Sequence, residues 1–161
     1  MKTLLDRYLG LVVFSGLIVI LDQVTKFLVR NDLPLGAVWA PWSWLMPYAR
    51  VYHTQNTGMA FSILPGFSWL FILFAVGVSL GILYYFPRVS KREWLIRLGM
   101  ILLLGGALGN LIDRLTIGQV TDFISVGTFA VFNVADACID TGAVALLIGM
   151  TLSERREKKR E

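Results

Sequence analysis

Four apolar stretches dominate the chain, roughly Leu9–Val29, Gly66–Phe86, Trp94–Ile112 and Ala137–Leu152. A helix needs about 20 predominantly apolar residues to cross a bilayer, and hydrocarbon admits only structures that satisfy their own backbone hydrogen bonds. The sequence therefore reads as an all-α membrane protein with four transmembrane helices. With 161 residues, 56% of them hydrophobic and 16% charged, and a mean hydropathy of +0.67, the chain is expected to form one integral membrane domain over residues 1–161. The first stretch carries Asp22, Gln23 and Lys26 near its far end and lacks a convincing cleavage site, so it is expected to remain as a span rather than be removed as a signal peptide.

Charge orients the bundle. Lys2 and Arg7 precede the first span, Arg88, Lys91 and Arg92 fill the link between the second and third, and Arg155, Arg156, Lys158, Lys159 and Arg160 follow the fourth. The positive-inside rule puts these segments and both termini in the cytoplasm, which turns the long links Asn31–Pro65 and Asp113–Asn133 outward. The net charge of +4 belongs to these anchors, favours contact with membrane lipids, and gives no support to nucleic-acid binding. Trp39, Trp42 and Trp44 in the first outer link suit the head-group layer. Cys138 is the only cysteine, so the outer links hold together without an internal disulfide.

Polar residues gather at the outward ends. Asp22 and Lys26 are four apart with the acid first, the order in which a helical pair attracts best. Mutual neutralisation with Lys26 snorkelling outward is one reading, and support of a site or contact with a lipid head group is the other. Gly105 and Gly109 form a small-xxx-small seam on the third span, followed by Asn110, Asp113 and Arg114 at helical spacing, with Asp113 also readable as half of a structural ion pair. Asn56 and Gly58 mark a loop able to approach a substrate closely. The run Val120–Ser125 alternates like a strand, breaks at Gly127 and resumes through Phe132, which reads as a short hairpin carrying Asp122. Asn133 then stands as a helix N-cap with Asp136 at the capping-box position.

One acid on a strand and one at a helix start can face each other. Two carboxylates sharing a proton supply a base for water and an acid for the scissile amide without a covalent intermediate. Competing designs lack parts: there is no G-x-S-x-G or H-E-x-x-H, and the single histidine, His53, excludes a multi-histidine metal site. The helix dipole favours the ionised form of Asp136 by about 0.3–1 kcal/mol, making it the expected base and Asp122 the protonated partner. Asp140, four residues on, opposes this unless it is neutral or paired with Lys26 or Arg114. A second class of function, a small transporter or proton conduit, would need these acids to continue across the bilayer, and the second span offers none.

The ordered set L-D-Q-V-T-K, N-T-G-M-A-F, G-G-A-L-G-N-L-I-D-R, G-x-V-x-D-F-I and F-N-V-A-D-x-x-I resembles the lipoprotein signal peptidases, the type II signal peptidases of bacteria, over nearly the whole chain. The resemblance implies four spans with a small extracytoplasmic β-rich shelf, and an aspartyl endopeptidase of the bacterial cytoplasmic membrane, with no cofactor or metal and no obligate protein partner. Its substrates would be diacylglyceryl-modified prolipoproteins, cleaved on the amino side of the lipidated cysteine at the outer face. By position, Asp122 and Asp136 match the catalytic pair, and Asp22, Lys26, Asn56, Gly58, Gly106, Asn110, Arg114, Asn133 and Ala135 match surrounding motif positions. Met59, where a small residue is common, and Asp140, where a hydroxyl or apolar residue is, depart from the pattern and bear on pocket width and local electrostatics.

Overall fold

A computed structural model describes residues 4–56 and 68–158, and Gly58 and Met59 lie outside them. Its long elements are α1 (Leu4–Asp32), α2 (Ser68–Tyr85), α3 (Trp94–Thr116) and α4 (Val134–Glu157). Among the described residues, these four helices are long and apolar enough to cross a membrane. Three strands, β1 (Val38–Trp39), β2 (Ala49–Asn56) and β3 (Val120–Val126), form one antiparallel sheet in the order β1-β2-β3. The fold is thus four membrane helices capped at one end by a small sheet.

Burial is inverted relative to a water-soluble domain. Phe14, Ile20, Leu80 and Leu147 lie exposed on the helix surfaces, as suits contact with lipid tails, while Asp22, Lys26, Thr121 and Asn133 are wholly buried. A modest apolar cluster of Leu11, Ile82, Phe86 and Leu104 joins α1, α2 and α3. Lipid tails are as apolar as leucine, so packing contacts and internal polar bonds, not expulsion from water, hold such helices together.

Helix α3 is the central element, and its small residues set the approach distances. Gly105 faces Ile18 of α1, and Gly109 faces the Asp22 carboxylate. On another face, a Cβ at Gly106 would collide with the Ala135 carbonyl oxygen and stand 2.7 Å from Ile139 Cγ1, so the start of α4 rests directly on the α3 backbone. The seam read from Gly105 and Gly109 is therefore real, and it extends to a second helix.

One boundary moves and one local expectation changes. Helix α3 runs on to Thr116, past the expected span end at Ile112, and carries Asp113 and Arg114 at the helical spacing read from the sequence. Gly118, with φ of +77°, then turns the chain into β3 within a few residues. The anticipated hairpin is only a stub: β3 meets Phe132 in one isolated bridge with Ile124, and its true partner is β2, with Thr54 opposite Asp122. Pairing with a strand more than 60 residues away was invisible in local alternation. Trp42 and Trp44 are exposed and stack with ring centroids 5.9 Å apart on the segment between β1 and β2.

Adding one methyl group tests the α3–α4 contact. Gly106→Ala is expected to destabilise the fold by about 1–3 kcal/mol through overpacking against main chain, whereas Gly77→Ala, where a Cβ meets nothing within 4 Å, is expected to be neutral or slightly stabilising. Thermal unfolding of the two variants in the same detergent checks the difference.

Candidate active site

The capping box at the start of α4 places the first carboxylate. The Asn133 side chain accepts from Asp136 N at 2.9 Å, and Asp136 Oδ2 accepts from Asn133 N at 3.2 Å. Asp136 Oδ1 accepts a further bond from Asn110 Nδ2 at 2.7 Å. Asp122 comes from β3, and its two oxygens accept from Asn133 Nδ2 at 2.7 Å and Asn56 Nδ2 at 3.2 Å. Asn133 therefore touches both acids, one through its side chain and the other through its main chain. The strand acid and the helix acid stand in one cluster, as their sequence settings implied.

Beneath the acids lies a buried ionic layer. Lys26 Nζ is 2.8 Å from Asp22 Oδ2, 3.3 Å from Asp113 Oδ2 and 3.0 Å from Asn110 Oδ1, so three acceptors meet its three N–H donors. Lys26 is fully buried and does not snorkel outward. The reason is that Asp113, on α3, supplies a second carboxylate that the α1 pattern alone could not reveal. Asp22 Oδ1 accepts from Ala135 N at 2.9 Å and holds the first turn of α4, while Asp113 Oδ2 accepts from Thr121 N at 3.0 Å and holds β3. Each catalytic candidate thus has a neighbouring residue fixed by this layer.

Gln23 and Arg30 belong to the same layer and were not anticipated. Gln23 Nε2 lies within 3.2 Å of Asp22 Oδ2, Gly109 O and Asp113 Oδ1. Arg30 Nη1 reaches Asp113 Oδ1 at 3.4 Å and Thr121 Oγ1 at 3.1 Å. The available signal was helical spacing, since Asp22, Lys26 and Arg30 follow one another at intervals of four. Two acids and two bases leave the layer with no formal net charge.

Next to Asp136 opens a pocket of about 560 Å3. Its walls include Phe71 and Phe74 of α2, Leu103 of α3 and Ile139 of α4, with Asn56 and Arg114 at its polar end. The Arg114 guanidinium stands 5.1 Å from the Phe71 ring centroid, and its buried Nε has no hydrogen-bond partner among the described residues. Asp140 is exposed and joins no ion pair among the described residues, so it is paired with neither Lys26 nor Arg114. Among the described residues, the buried acids Asp22, Asp113 and Asp122 all collect at this one end of the bundle.

The sequence from Phe14 to Leu152 matches the family described as Signal peptidase (SPase) II. The chain belongs to that family. It is a membrane peptidase, consistent with an acid pair set among spanning helices. Its relatives include lipoprotein signal peptidases of Bartonella tribocorum, 38% identical over 91% of this chain and 87% of the relative, and of Bacillus subtilis, 38% identical over 90% and 95%. A solved bacterial membrane enzyme superimposes with a TM-score of 0.84 at 26% identity, covering 94% of this chain and 93% of the other.

The surroundings of this peptidase's two acids have measurable consequences. Burial first, and then the charge of Asp136, push the Asp122 carboxyl from 3.8 up to about 6, against the opposing pull of the Asn133 and Asn56 amides and of Lys26. Between those values the folded chain binds more protons than the unfolded one, so stability falls as pH rises through that window. At neutral pH the ionised carboxyl then costs the fold up to about 3 kcal/mol. Asp122→Asn is expected to raise the melting temperature at neutral pH and to lose that advantage below pH ~4, as unfolding scans at several pH values in detergent would show. Lys26→Met should act in the opposite sense. It strands Asp22 and Asp113 and is expected to cost about 3–5 kcal/mol, read by the same scans.

Proposed function

We propose that this peptidase hydrolyses the bond between the signal peptide and the lipid-modified cysteine of prolipoproteins, with Asp136 as general base and Asp122 as general acid. The observation that carries the reading is the shared clamp on the two acids, in which Asn133 bonds Asp122 Oδ1 through its amide and Asp136 Oδ2 through its backbone N–H. The two settings differ in the donors they offer. Asp136 sits in the first turn of α4, where the helix dipole and the bonds from Asn110 and Asn133 favour its charged form. Asp122 is 2% exposed, and burial together with the charge of Asp136 raises its pKa to about 6, so it keeps its proton to a higher pH than an exposed carboxyl does.

In the proposed reaction Asp136 takes a proton from water as the oxygen attacks the peptide carbonyl, and Asp122 gives its proton to the carbonyl oxygen. Collapse of the tetrahedral intermediate breaks the C–N bond. The proton held on Asp136 goes to the leaving amine, and the carbonyl proton returns to Asp122, so the pair ends as it began. Arg114, whose buried Nε has no hydrogen-bond partner among the described residues, supplies a contact for a substrate oxygen at the polar end of the pocket. The aromatic and aliphatic walls contributed by Phe71, Phe74, Leu103 and Ile139 suit an acyl chain or an apolar signal-peptide segment.

Lys91, Arg92, Arg155 and Arg156 cluster at the bundle end remote from the acids, and the positive-inside rule makes that end cytoplasmic. In this orientation the sheet and the acid pair face the extracytoplasmic side, within a bacterial cytoplasmic membrane. Asn56, whose amide meets Asp122 Oδ2, is proposed to contact the bound peptide.

The test is cleavage of a diacylglyceryl-modified prolipoprotein peptide by the purified protein. Asp122→Asn and Asp136→Asn are each expected to lower kcat by about 10²–10⁴-fold with the fold intact. Normal turnover by either folded variant would sink the dyad.

A further inference from the structure

A second groove, of about 710 Å3, lies at the end of the bundle opposite the carboxylates, between the N-terminal halves of α1 and α3. It exists because α1 is tied elsewhere at this end. The Tyr8 hydroxyl donates to Leu83 O of α2 at 2.9 Å, and Leu11 packs with Ile82 and Phe86. Contact with α3 through Gly105 and Ile18 lies farther along the bundle. Phe14 and Leu17 of α1 face Leu98 and Ile101 of α3 across the gap. At Gly10 an added Cβ would meet nothing within 4 Å, so this wall is left open.

The mouth of the groove is cationic. Arg7, Lys91 and Arg97 line it together with Trp94, and no carboxylate does among the described residues. Arg97 is fixed in place, with Nη1 donating to Phe86 O and Val89 O at 3.1 Å each and its guanidinium 3.8 Å from the Phe86 ring centroid. Arg7 and Lys91 are exposed and form no ion pair among the described residues. Trp94 is also exposed, as an indole at head-group level would be. An apolar trough opening sideways and ending in cations is complementary to a molecule with hydrocarbon chains and one anionic head.

We propose that this groove binds an anionic glycerophospholipid, its acyl chains lying between α1 and α3 and its phosphodiester meeting Arg7 and Lys91. A head group with net negative charge gains from all three cations, whereas a zwitterionic one brings its own cation to a cationic mouth. The choice of leaflet rests on the orientation given under the proposed function and makes this a cytoplasmic-leaflet lipid. The binding itself needs no substrate and no intact acid pair.

The experiment is native mass spectrometry of the purified full chain incubated with an equimolar mixture of phosphatidylglycerol and phosphatidylcholine. The unmutated chain is expected to retain phosphatidylglycerol selectively. Neutralising both free cations, Arg7→Gln with Lys91→Gln, is expected to weaken that adduct roughly thirtyfold. Gly10→Leu, which fills the trough without touching any charge, is expected to displace the lipid while leaving prolipoprotein cleavage in mixed detergent micelles unchanged. Equal retention of the two lipids, phosphatidylglycerol retention unaffected by Gly10→Leu, or a protein dimer in place of the adduct would each overturn the proposal. Cleavage is assayed on the same preparations, so the two readings fail separately. Active protein without a selective adduct rejects the lipid site, and a selective adduct on protein that never cleaves rejects the peptidase reading.

Discussion

A lysine ammonium buried among membrane helices is stable only if its charge and all its donors are met, and the architecture around Lys26 follows from that requirement. Asp22 one turn before it, Asp113 on α3 and the Asn110 amide oxygen take its three donors. Those partners have further oxygens, and these reach Ala135 N on α4 and Thr121 N on β3. The ionic layer thereby joins three helices and the strand that carries Asp122. With Arg30 added, the formal charges of the layer balance. Its contribution to the site is positional.

The acid pair is differentiated by backbone type. A strand acid in a buried sheet receives only side-chain amide donors, here Asn56 and Asn133. A first-turn helix acid receives a backbone N–H and the helix dipole as well, and Asn110 adds a third source of positive potential. Identical side chains thus stand among two different sets of donors. Asn133 couples the settings because its side chain spans both. As N-cap it must accept from Asp136 N, which leaves its Nδ2 free to donate to Asp122.

What could be read in the sequence was what local chemistry determines. The four helices follow from hydropathy and length, and the Asn133–Asp136 capping box follows from residue types three apart. Non-local geometry was not legible. Asp22 and Lys26 showed their spacing but not that Asp113 waits across the α1–α3 seam, so the lysine was expected to turn outward. Strand alternation located β3 but not its pairing with β2, because the intervening α2 and α3 return the chain to the same end only in three dimensions. Gln23 and Arg30 escaped because each looks like an ordinary polar residue near a helix end, and only the buried carboxylate of Asp113 gives both a purpose. Asp140 was weighed as a rival charge to the dyad, yet it lies on the exposed side of α4 without an ion pair among the described residues.

The arrangement also reconciles a sealed polar core with access for an apolar substrate. At the level of the acids, α4 rests on α3 at Gly106 and α1 on α3 at Gly105 and Gly109, which brings those helices into direct contact there. Helix α2 packs mainly on α3, and the pocket beside Asp136 lies in the wedge between α2 and α4, walled by Phe71, Phe74, Ile139 and Ala143. Under the proposed function this wedge would receive the lipid-borne group, with the peptide end toward Asn56, Asn110 and Arg114. The residues that must not move are thus on the tightly packed side of α3, and the opening is on the side where helix contacts are fewest. Separating the two by helix face lets one small bundle be rigid at the acids and open to lipid a single helix away.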